Sequence, residues 1–117
     1  MKPNEHFKQK LHNRAEHCRS LEKACFADSR ADEAVLERIR GNVYEIFLSI
    51  ADTAAKVKQD EEIYPFLQEK LTQIPSSWEK ARNAALTHGD SERAALETIK
   101  LETAQVIRQI AQEIWES

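Results

Sequence analysis

Residues 35–57 read VLERIRGNVYEIFLSIADTAAKV. Val35, Leu36, Ile39, Val43, Ile46, Phe47, Ile50, Ala54 and Val57 fall on one side of a helix, within an arc of about 120°. A strand would alternate at every second position, and this stretch does not. Tyr44, Leu48, Ala51 and Ala55 form a second stripe on the adjoining face. The middle of the segment is therefore apolar over more than half its circumference. Such a helix is either central in a bundle or covered by another chain. On the second reading Tyr44, Leu48, Ala51 and Ala55 are a partner surface, because small residues permit close approach and Tyr suits interface edges. On the first, the helix simply touches two neighbours of its own chain. Gly41 lies roughly opposite Ile39 and Val43, where it marks a bend or a close contact.

The segments on either side have the same period. Upstream, Phe7, Leu11, Ala15, Cys18, Leu21 and Cys25 recur at three or four residues. Asp28, Ser29 and Asp32 then supply stop and start chemistry, with Ser29 and Asp32 spaced as a capping box. Downstream, Asp60, Glu61 and Glu62 suit a helix N-terminus. Ile63, Phe66, Leu67, Leu71 and Ile74 follow, and then Pro75. Ser76 and Glu79 match a capping box and announce a new helix. Yet Trp78, Ala81 and Ala85 continue the earlier stripe without a phase slip, so one kinked helix or two nearly collinear ones are expected. His88-Gly89-Asp90 ends that segment. The last shows Leu96, Ile99, Thr103, Val106, Ile107, Ile110 and Ile114 on one face, with Leu101, Ala104 and Trp115 outside it.

The expected fold is all-α: an up-down four-helix bundle in one domain spanning 1–117, with helices near 4–26, 31–58, 62–88 and 91–115 and the third kinked or broken near Pro75. Composition agrees. With 2 Gly and 3 Pro in 117 residues, hairpin-rich β folds and glycine-cradled phosphate sites are disfavoured. No run approaches the ~20 apolar residues of a membrane span, and no cleavable signal is expected at the start.

The net charge of −3 is uneven. Residues 1–58 hold 11 Lys/Arg and 9 Asp/Glu, and the remainder 6 and 11. Overall acidity disfavours a dedicated nucleic-acid binder. Lys8, His12, Arg19 and Lys23 still form a basic stripe on the first helix, the one place where nucleic acid or phosphate would be met. Cys18 and Cys25 lie seven residues apart on one helical face. The rise between them is about 10.5 Å, against a bridging limit of about 7 Å. They are expected to be free thiols packed in the core, in a reducing cytoplasm.

Catalytic and metal-binding patterns are absent. There is no Glu-x-x-His pair, and the four core stripes carry no carboxylate, so a di-iron centre and other cofactors are not expected. His6, His12 and His17 cluster in the first helix, but none pairs at the i, i+4 spacing that lets two imidazoles meet one ion. The expected function is a small cytoplasmic protein–protein interaction module, an adaptor, regulator or chaperone-like protein, whose partner is another protein or a second copy docked through the second helix. Leu101 and Trp115 are further candidates for its contact surface. The rival is a bundle that binds a ligand or metal through His12, His17 or His88.

Overall fold

The computed structural model describes residues 1–117, which form four helices and no strands: α1 (Pro3–Ala27), α2 (Ala31–Val57), α3 (Asp60–Thr87) and α4 (Ser91–Trp115). Periodicity placed every boundary to within two residues. No helix is long and apolar enough to cross a membrane.

The two hairpin turns share one hydrogen-bonded design. After α1, the N–H of Ser29 donates to Phe26 and that of Arg30 to Cys25. After α3, the N–H of Gly89 donates to Leu86 and that of Asp90 to Ala85. Both are Schellman stops, which need a left-handed residue after the cap. Gly89 supplies it at φ 73°, and Ser29 at φ 59°. Ser29 is thus part of the stop of α1 rather than the capping-box start of α2. A side chain in that region costs roughly 1 kcal/mol. Asp90 does cap α4, accepting from the N–H of Arg93 at 3.0 Å.

The second capping box, Ser76 to Glu79, is also overruled, because α3 continues through Pro65 and Pro75. Pro75 has no N–H to give the carbonyl of Leu71 four residues back. The guanidinium of Arg108 on α4 donates to that carbonyl instead. The proline gap is thereby converted into a link between α3 and α4.

Packing is unequal around the bundle. α1 lies extensively along α2, and α3 along α4. The hairpins meet mainly across the α2–α4 diagonal, while α2 and α3 touch little although they are consecutive. The molecule measures 43 × 35 × 24 Å with a radius of gyration of 15.4 Å. A compact chain of this length would have about 13 Å, so the section is flattened. Phe7, Leu11, Phe47, Leu67, Leu71 and Ile107 are fully buried in a common core toward the end where α1 begins. Toward the hairpin tips, Leu36, Ile39, Leu96 and Ile99 are only half-buried.

Each hairpin is closed by small residues. Gly41, Ala51 and Ala54 are buried on α2, and Ala94, Ala104 and Ala111 on α4. The buried line of α2 includes Val43, Tyr44 and Phe47, so it is turned by roughly a fifth of a turn from the arc of largest apolar residues. α4 is turned in the same way, toward its alanines. Helices approach most closely where side chains are small, and that approach fixed the rotation.

Arg108→Ala is expected to cost about 1–2 kcal/mol, because it leaves a buried carbonyl without a donor. In a Pro75→Ala background the restored N–H satisfies Leu71, and the same change should cost clearly less. Urea denaturation of the four proteins measures this coupling. Equal costs in both backgrounds would show that Arg108 does not substitute for the missing helical bond.

Candidate functional site

The rotation of α2 decides which apolar face stays open. Tyr44 and Ala51 are buried within the chain, Leu48 is half-buried against the core, and only Ala55 is exposed. The face the sequence offered to a partner is therefore largely covered. α1 lies on that side: Asn4 donates its amide N–H to the carbonyl of Ala51 at 3.1 Å, and Lys8 pairs with Asp52 at 3.3 Å. The opposite edge is the uncovered one. Val35 is 36% exposed, Ile46 40% and Val57 67%, with Ile39 and Ile50 half-buried between them. Asn42, Glu45, Ile46, Ser49 and Ile50 line a shallow groove at its centre.

Polar residues beside this stripe are bound to α1. Arg19 donates to the side chains of Asn42 at 2.8 Å and Glu45 at 2.9 Å and reaches the carbonyl of Arg38. Arg38 in turn bonds Glu22 at 2.8 Å and lies over the Phe26 ring. Ion pairing to α2 takes up two of the four residues of the expected basic stripe. Lys8 and Arg19 are half-buried and paired with acids of α2, while His12 and Lys23 remain exposed.

The other candidates are dispersed. Trp115 stacks on Tyr64 at 5.1 Å and meets Phe7 edge-on at 5.4 Å, so it closes the end of the bundle. Leu101 is half-buried. His12 and His17 are exposed on α1, and His88 lies at the end of α3, on the other hairpin. No three His, Cys, Asp or Glu side chains converge. A cleft of about 490 Å³ lies beside Trp115, lined by Lys2, Asn4, Lys8, Asp60 and Glu61 among others. Its charges are mixed, and Lys2 is paired with Asp60 across 3.3 Å.

Two buried polar side chains were not expected. Asn4 Oδ1 and Glu97 Oε2 are buried without hydrogen-bond partners. Glu97 lies outside the apolar arc of α4 that the sequence shows, yet it is 2% exposed. Its Oε1 accepts from Arg93 and Lys100, each at 3.2 Å. The signal was present: Ala94, Glu97, Ala104 and Ala111 share one helical side, and the three alanines mark it as a close-packed seam. No nucleophile pairs with this carboxylate, so its chemistry is that of an ion-paired packing residue.

The thiols are free and buried. Burial, then the Glu37 carboxylate, pushes Cys18 up to about 11, which leaves it protonated and unreactive at neutral pH. Burial also raises Tyr44, and burial with the Glu116 contact raises Tyr64 to about 12. Each group holds its proton more tightly when folded. Its contribution is complete below its ordinary range and is lost as pH rises through the folded value. The urea midpoint is therefore expected to fall as pH rises from about 9 toward 11, with Cys18→Ala flattening the first part of the fall. A midpoint that stays level or rises across that window would contradict the burial of these groups.

No protein-family model, curated protein or solved structure matches this chain.

Proposed function

We propose that the chain is a small cytoplasmic interaction module, an adaptor, regulator or chaperone-like protein, that works by presenting the open edge of α2 and has no catalysis of its own. The observation that carries this reading is the stripe of Val35, Ile39, Ile46, Ile50 and Val57. It runs the length of a central helix and is left partly open by the chain's own packing. Single exposed apolar residues are ordinary, but a helical stripe of β-branched residues is the shape that receives another amphipathic helix. Its polar neighbours Asn42, Glu45 and Arg38 are already bound to α1, so docking there does not strand unpaired charges. The two buried, unpaired cysteines fit a reducing compartment.

Ile46→Glu is the test. Ile46 is 40% exposed, so the change is expected to alter the urea midpoint little. Wild-type protein should retain at least one specific protein contact, with itself or another chain, that the variant loses. If wild type and the equally stable variant retain the same contacts, α2 is not the working face.

A further inference from the structure

One end of the bundle gathers the first residues of α1 and α3 and the last of α2 and α4. The cleft of about 490 Å³ beside Trp115 lies there, and it has the size that encloses a small organic molecule. Its apolar surface comes from Ala55, Ile63 and Trp115. Tyr64 stacks on the Trp115 indole and Phe7 meets it edge-on, so this wall is held in place.

The polar groups around that surface leave one sign of charge over. Lys2 is paired with Asp60 and Lys8 with Asp52, each at 3.3 Å. Glu5 and Glu61 line the same cleft, and neither has an ion-pair partner within the chain. Two helix N-termini and two C-termini meet at this end. Their partial charges, about +0.5 and −0.5 each, largely cancel. What remains is the charge of the two free carboxylates.

Asn4 shows the same need independently. It lines the cleft and is only 7% exposed. Its Nδ2 donates to the Ala51 carbonyl at 3.1 Å, which fixes the orientation of the amide. Its Oδ1 is the one side-chain polar atom of the lining that is buried without a partner. An acceptor in that state costs stability until a donor meets it. Two unpaired carboxylates and one unsatisfied carbonyl all call for N–H donors with positive charge. An anion would find both lysines already neutralised.

We propose that this cleft binds a small organic amine, its primary ammonium held by Asn4 Oδ1, Glu5 and Glu61 and its apolar body lying along Ile63 and Trp115. An ammonium carries three N–H donors, one for each of the three acceptor groups. The site is separate from the open edge of α2 and does not depend on the reading of that edge.

NMR titration of the full chain at neutral pH tests this, with phenethylamine as the probe and phenethyl alcohol and hydrocinnamate as its neutral and anionic counterparts. The Trp115 indole N–H and the Asn4 side-chain amide signals are expected to shift saturably with the amine. The alcohol should bind several-fold more weakly, and the carboxylate more weakly still. Glu5→Gln combined with Glu61→Gln should weaken the amine several-fold and leave the alcohol unchanged. Both side chains are exposed, so the fold tolerates the pair of changes. Raised salt should weaken the amine as well. Three results would overturn the proposal: no saturable shift with the amine, a carboxylate that binds best of the three, or an amine affinity indifferent to the paired substitution.

Discussion

Gly41 has no side chain, and Arg19 of α1 occupies the space that one would fill, its guanidinium 2.9 Å from where a Cβ would stand. From that position Arg19 reaches Asn42, Glu45 and the carbonyl of Arg38. Further along the same pair of helices, Asn4 bonds the carbonyl of Ala51. These contacts hold α1 against the small-residue side of α2. The larger apolar residues of α2 are then shared between the other hairpin and solvent. Glycine within a helix costs about 1 kcal/mol relative to alanine, and here it permits the approach that sets the rotation of α2. The open stripe is a consequence of this close packing.

The second hairpin repeats the logic with different chemistry. Alanines 94, 104 and 111 close α4 onto its neighbours, and Arg108 fills the bonding gap that Pro75 leaves in α3. Glu97 lies in the same seam with one oxygen held by Arg93 and Lys100 and the other unpartnered. A buried carboxylate in this state is rarely the most stable choice, since well-packed apolar residues often do as well or better. What it does supply is a fixed register for Arg93 and Lys100, the latter lying over the Trp78 ring.

The number, length and order of the helices were legible because 3.6-residue periodicity and the punctuation at His88-Gly89-Asp90 act within a few residues. The phase of Trp78, Ala81 and Ala85 likewise outweighed the local Ser76–Glu79 signal, since a long apolar face is worth more than one cap. The rotation of α2 was not legible. Both of its stripes are apolar, and the choice between them depends on Arg19 and Asn4, which lie on a different helix. The candidate interface was accordingly placed on Tyr44, Leu48 and Ala51, which α1 and the core largely cover. Glu97 was missed for a related reason: a carboxylate on an amphipathic helix is assigned to solvent unless the alanines around it are recognised as a contact seam.

Solvent paramagnetic relaxation on methyl-labelled protein in dilute solution probes the orientation of α2 most directly. The methyl groups of Val35, Ile46 and Val57 are expected to relax strongly with a soluble paramagnetic agent, while those of Val43, Ala51 and Ala54 stay protected. Protection of Ile46 together with exposure of Ala51 would mean that α1 covers the other face, and would contradict both the packing and the function built on it.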